Sequence, residues 1–229
     1  MKLKRESNIY GKPRSENLMN SLILEYNLRN MNHKKGFAKP LSENFFRRDT
    51  AIVAKDLLGK ILVRKLPSRT LSGKIVETEA YFGKEDPASR AYLGRPKFCV
   101  KLMHEKPGRT LIYMVHGNWL LNIIAHERSK AGAVLIRALE PLKGIETMKK
   151  NRGIENINNL TNGPGKLTKA LNITKELNGV NVTDERSEIQ IVEGEEEDFE
   201  ISSSFRIGVR EDLSQHFRFF IKGNKFVSK

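Results

Sequence analysis

One cysteine, Cys99, occurs in 229 residues, so no disulfide can close within the chain and a reducing compartment is expected. Histidine is as sparse. His33, His104, His116, His126 and His216 are scattered with no paired ligand spacing, so neither a metal site nor a cofactor is expected. No apolar run approaches the roughly 18 residues of a membrane span. The polar, basic first residues contain no uninterrupted apolar stretch, so no secretory signal is expected either. No internal repeat is visible. Acid is in short supply: 27 Asp and Glu face 41 Lys and Arg, a net charge of +14. Six of those acids crowd into residues 193–200, which leaves the remainder of the chain near +20. Such a balance points to a polyanionic partner, nucleic acid before an anionic membrane face, although solubilising surface charge gives the same count.

The length suits one domain with a tail. Residues 1–40 are polar, basic and rich in Asn, and read as a loosely held arm with residues 21–26 as a short helical segment. The folded domain is expected over residues 41–229. Asp49-Thr50 offers an N-cap to a helix over residues 51–58, and Gly59 supplies its stop. Residues 60–65 read as a strand, Pro67-Ser68-Arg69 as a turn, and residues 73–83 as the returning strand of an antiparallel hairpin. Residues 83–108, punctuated by Gly and Pro and rich in Lys and Arg, read as a long irregular loop of functional character. Residues 109–115 and 119–125 form a hairpin with His116 at its tip. A fourth strand over residues 132–138 ends at Glu140-Pro141, and a helix follows over residues 143–151. Gly163-Pro164-Gly165-Lys166-Leu167 opens another helix. It lacks the spacing and hydroxyl residue of a phosphate loop, so nucleotide triphosphate binding is rejected. A DNA phosphate at that end and a plain Pro-started helix remain open. Residues 187–192, 205–209 and 217–221 read as strands, Gly223-Asn224 as the turn closing a last one, and residues 193–200 as a solvated loop.

The chain centres on residues 73–83. Strict alternation puts Ile75, Glu77, Glu79 and Tyr81 on one strand face and Val76, Thr78 and Ala80 on the core side. Glu79 and Tyr81 thus bring an acid/base group and a stacking ring over one pocket. Two solvated glutamates beside a cross-strand tyrosine would look the same. Glu77 reads as structural and Trp119 as core. Arg137 lies in an apolar strand and requires a partner, because burying it unpaired is costly.

Ala54-Lys55-Asp56-Leu57-Leu58-Gly59-Lys60, residues 73–81, Asp86-Pro87-Ala88-Ser89, Pro107-Gly108, residues 113–122 and 135–141, Gly163-Pro164-x-Lys166-Leu167 and residues 217–228 occur in one order over about residues 42–228. Together they resemble the alkyladenine (3-methyladenine) DNA glycosylase family. The resemblance implies an α+β single domain with a curved, mostly antiparallel sheet and flanking helices. It implies an enzyme that flips a damaged, alkylated or deaminated purine out of double-stranded DNA. Such an enzyme hydrolyses the N-glycosidic bond with water, without a metal or a lysine adduct, as a step of base excision repair. Glu79 then matches the water-activating glutamate and Arg137 the arginine beside it. Tyr81 and Tyr113 match the rings that sandwich the base, Asn122 the residue that screens it, and His116 the wedge that fills the vacated stack. A monomer that contacts no membrane is expected, working inside the cell in the cytoplasm or nucleoid, or in a nucleus.

Three positions depart from the family pattern. Arg90 stands where a histidine usually lines the pocket, His116 where the wedge is usually tyrosine, and Phe98-Cys99 where an Arg-Asn pair is usual. Arg90 is expected either to pair with Glu79 or to reach a phosphate. The departures also keep open a DNA-binding protein on the same scaffold with weak or lost glycosylase activity.

Overall fold

The computed structural model describes residues 39–94 and 96–228. The arm and its short helix therefore fall outside the described residues, apart from Lys39 and Pro40. Pro40 bridges Val192, and the Leu41 amide donates to the Ile191 carbonyl at 2.8 Å, so the chain joins the sheet edge at these residues.

Helices α1 (Glu43–Phe46) and α2 (Thr50–Asp56) come first. The Asp49 side chain caps α2 by accepting from the Ala51 and Ile52 amides, a cap worth about 1 kcal/mol. Val53, Ala54 and Leu57 bury one face of α2 against the sheet. Strands β1 (Ile61–Leu66) and β2 (Arg69–Phe82) form the expected hairpin. Helix α3 (Lys97–Met103) follows, then β3 (Thr110–Val115), β4 (Asn118–Ile124), β5 (Gly132–Lys143), α4 (Ile145–Arg152) and α5 (Pro164–Ala170). Strands β6 (Ile189–Val192), β7 (Ile201–Ser204) and β8 (Arg218–Ile221) complete an α+β body. All strand pairs are antiparallel, in the order β3-β4-β5-β2-β1-β6, with β8 joining β2 to β7.

Strand β2 organises the sheet. Its first half pairs β1, residues 77–79 pair β8, and its other edge runs along β5. The β2–β5 register slips on either side of Glu77. Val76 is unmatched on β2, and Arg137 is the extra residue on β5 between Ile136 and Ala138. Such bulges re-aim side chains. Here they correct the expected alternation: Ile75 joins Val76 and Ala80 in the main core, while Glu77, Glu79 and Tyr81 stay together on the other face. That second face is not solvated. Glu77 and Glu79 are fully buried and Tyr81 is 9% exposed.

Four further expectations are corrected. Residues 97–103 are helical within the supposed irregular loop. Cys99 and Met103, four apart, face inward onto Leu111, Ile124 and Ala133 in a second small core, and that apolar burial stabilises a short helix after Pro96. Strand β5 runs through Glu140-Pro141 to Lys143, because a register shift at Ser72/Gly73 accommodates a residue with no amide to donate. Residues 205–209 are not a strand; pairing with β8 falls on residues 201–204 instead. After β8 the chain makes turns and no further strand. Residues 193–200 are a largely exposed loop, in which Glu193, Glu197 and Glu200 pair with Lys60, Lys74 and Lys222.

Candidate active site

Cross-strand register gathers the candidates. Leu111, Asn122, Leu135 and Glu79 lie in one row across β3, β4, β5 and β2, so their side chains share a face. Two residues from that row, on opposite sides of it because β2 and β3 run in opposite directions, stand Tyr81 on β2 and Tyr113 on β3. Asn122 is buried and donates to the Leu111 carbonyl at 3.1 Å. Trp119 packs partly buried against the main core, as expected.

Glu79 sits at the centre. Its Oε2 accepts the Tyr81 phenol at 2.6 Å and lies 3.2 Å from Arg137 NH1; its Oε1 accepts the Ile207 amide at 2.8 Å. A carboxylate has about four lone-pair sites, so the one left over lies on Oε1. Burial holds the Glu79 carboxyl above the usual carboxylate range, against the opposing pull of Arg137, the Tyr81 phenol and the Ile207 amide. Burial likewise raises the Tyr81 phenol, helped by the negative charge of Glu79, and pushes the Tyr113 phenol up to about 12. Both rings therefore stay neutral.

Arg137 has the partner its position demanded. Its Nε donates to Glu77 at 3.1 Å, so one guanidinium spans both carboxylates. Glu77 is structural, as expected: it also accepts from Arg218 Nε at 2.7 Å and from the Ser228 amide and hydroxyl at 2.7 and 2.8 Å.

Two candidates sit at the rim. Arg90 does not pair with Glu79. It is exposed, with its guanidinium carbon 5.8 Å from the Tyr113 ring centroid, and Arg137 takes the place beside the carboxylate. His116 is exposed at the β3–β4 tip. With Val115 paired to Asn118, His116 (φ 47°) and Gly117 (φ 75°) form a two-residue loop, both left-handed as a tight primed turn requires.

No local sequence pattern points to the Arg206 loop. Arg206 is fully buried, held by Asp86 and Asp212, and lies 4.7 Å from the Tyr81 ring centroid. Asp86 stood within a motif already singled out, but its partner Arg206 is 120 residues away, where no local pattern points to it. Among the described residues no three His, Cys, Asp or Glu side chains converge as a metal site, and no helix is long and apolar enough to cross a membrane.

The methylpurine-DNA glycosylase family matches residues 44–225, which spans the whole sheet and every candidate site residue. The chain belongs to that family. Relatives agree over nearly their full lengths. A protein of Clostridium perfringens (strain SM101) is 44% identical over 202 residues, covering 82% of this chain and 98% of its own. One of Carboxydothermus hydrogenoformans is 42% identical over 193 residues, covering 82% and 98%. One of Aeropyrum pernix is 40% identical over 191 residues, covering 82% and 93%. Each is provisionally named a 3-methyladenine DNA glycosylase. The chain is thus a DNA glycosylase, a hydrolase of N-glycosyl bonds that acts on DNA in base excision repair.

Proposed function

We propose that this glycosylase is monofunctional: it flips one damaged purine out of duplex DNA and cleaves its glycosidic bond with a water activated by Glu79. The observation that carries the reading is the unused lone pair on Glu79 Oε1, in a buried carboxylate beside the Tyr81 and Tyr113 rings. As the bond breaks, positive charge builds on the sugar. An ionised Glu79 stabilises that charge and takes the water's proton. Its neighbours are a guanidinium, a phenol and a backbone amide; none is an amine nucleophile. Alkylated purines are electron-poor, so aromatic faces favour them, and Tyr81 and Tyr113 serve as the platforms. Asn122 screens groups on the base, and His116 fills the stack it leaves. The enzyme works as a monomer inside the cell. Single-turnover base release from duplex oligonucleotides containing hypoxanthine or ethenoadenine, and from methylated DNA, tests the proposal. Release is expected from native protein. DNA binding with no release from any substrate would favour the binding-protein reading.

The pH dependence has a fixed sign. Glu79 must be ionised to act, and burial raises its pKa. The rate therefore falls on the acid side, with a midpoint above that of an ordinary carboxylate. Arg137→Gln removes the charge that lowers this pKa, so the acid limb should move to higher pH. A limb that stays put or moves down in a rate–pH profile contradicts the role given to Arg137.

Arg90 bears on lesion choice. Its cation lies over Tyr113, so a cationic 3-methyladenine base meets like charge there, whereas neutral hypoxanthine does not. Arg90→Ala should raise the ratio of 3-methyladenine to hypoxanthine release roughly two- to fivefold, the worth of an exposed cation–ring contact. An unchanged ratio excludes this role.

A further inference from the structure

We infer that Arg206, clasped by Asp86 and Asp212, is a positioning residue that fixes both the Tyr81 ring and the Ile207 amide on Glu79. The inference rests on the reading of Glu79 as the water-activating carboxylate.

The guanidinium is saturated. NH1 and NH2 bind Asp86 at 2.6 and 2.7 Å, Nε and NH2 bind Asp212 at 2.9 and 2.6 Å, and NH1 also donates to the Ala80 carbonyl at 2.9 Å. Ala80 is the residue between Glu79 and Tyr81. The same guanidinium lies over Tyr81, with its central carbon 4.7 Å from the ring centroid and 5.6 Å from that of Phe217. One side of Tyr81 is thereby occupied, and its hydroxyl is spent on Glu79.

The backbone does the rest. The Arg206 amide donates to Asp212 at 2.9 Å, which pins the loop at the residue before Ile207. The Ile207 amide then reaches Glu79 Oε1, the oxygen with the free lone pair. Asp86 ties this to the far end of β2, since it also accepts the Phe82 and Ala88 amides. One cation thus touches the strand beside the carboxylate, the ring beyond it and the loop that donates to it. Stability alone is a poor explanation, because a buried ion pair commonly stabilises no more than apolar packing of the same volume.

Asp212→Asn is the mild test. Arg206 keeps its two-pronged pairing with Asp86, so no buried cation is orphaned, while the loop loses its charged anchor. Glu79 is faced by Glu77 and Tyr81 from β2, Tyr113 from β3 and Arg137 from β5, with Arg218 of β8 bound to Glu77. All of these remain in the variant. The expected result is a single-turnover rate down about ten- to a hundredfold at unchanged DNA affinity, since a displacement of about an ångström at the reacting groups has that scale. The acid limb should also move to higher pH, because Glu79 loses a donor to its charged form. Arg206→Lys, which keeps the charge but not the fork of five donors, should lower the rate as well. A ¹³C titration of the Glu79 carboxyl in Asp212→Asn reads the same displacement without turnover. Native rate and native acid limb in Asp212→Asn would overturn the inference, as would an unmoved Glu79 titration with a rate loss that tracks only the unfolded fraction. An inactive native protein would instead sink the functional reading, and the titration would then decide the positioning role alone.

Discussion

Glu79→Gln should lose base release by about 10²–10⁴-fold, the contribution typical of a positioned general base, while binding DNA as the native protein does. The amide keeps the shape and one acceptor: with its oxygen toward the Ile207 amide, its NH₂ donates to the Tyr81 hydroxyl oxygen, but it cannot take a proton from water. It should also leave stability intact or raise it. Burial lifts the Glu79 pKa above its unfolded value. Any stability this group contributes is present in full below the unfolded pKa and is lost as pH rises through the folded one. In its ionised form the side chain is therefore a burden that Gln removes, a trade expected where a buried charge serves chemistry. Two measurements decide it: single-turnover release and the melting temperature at pH 7. A variant that still releases base at the native rate would remove Glu79 from the mechanism. A variant that loses release only because it has melted would leave the residue structural.

Much of the site could be read in advance. Alternation in β2 identified Glu79 and Tyr81 as neighbours because a strand's period needs no knowledge of the fold. Arg137 was legible for a similar reason: a charge in an apolar strand must find a partner, and the bulge delivers it to two. Tyr113, Asn122 and His116 needed the hairpin, and its length was visible in the His116-Gly117 turn. The Arg206 loop was hidden, since its effect depends on β7 and β8 bringing residue 207 back across more than 120 positions to Glu79. Residues 205–209 also alternate weakly, which is why a strand was expected there. Helix α3 was missed because Gly and Pro on both sides outweighed one inward pair, Cys99 and Met103. Arg90 fell on the rim because Arg137 already holds the site beside Glu79.

Two residues back on the same strand, Glu77→Gln should behave in the opposite way, costing folding stability about 3–5 kcal/mol, the usual loss when one partner of a buried ion pair is removed. Its carboxylate takes four donors in all. Oε1 accepts from Arg137, Arg218 and the Ser228 hydroxyl, and Oε2 from the Ser228 amide. A glutamine must turn its NH₂ toward one of these sets of donors, so an N–H faces an N–H whichever way it flips. The charge count fails too. Among the described residues Arg218 pairs with no carboxylate but Glu77, so its charge is left buried and unpaired, whereas in Glu79→Gln both Arg137 and Arg218 keep Glu77. Most domains are stable by only about 5–15 kcal/mol, so such a loss is large. It should persist at high salt, because ions do not screen a pair this deep. Denaturant unfolding of native, Glu77→Gln and Glu79→Gln protein at pH 7 separates the two carboxylates. The first variant should unfold at clearly lower denaturant, and the second at or above the native midpoint. If Glu77→Gln unfolds within about 1 kcal/mol of native, the cluster is held by packing around Ser228 and not by its charges, and Arg137 would then owe its position to the β5 bulge alone.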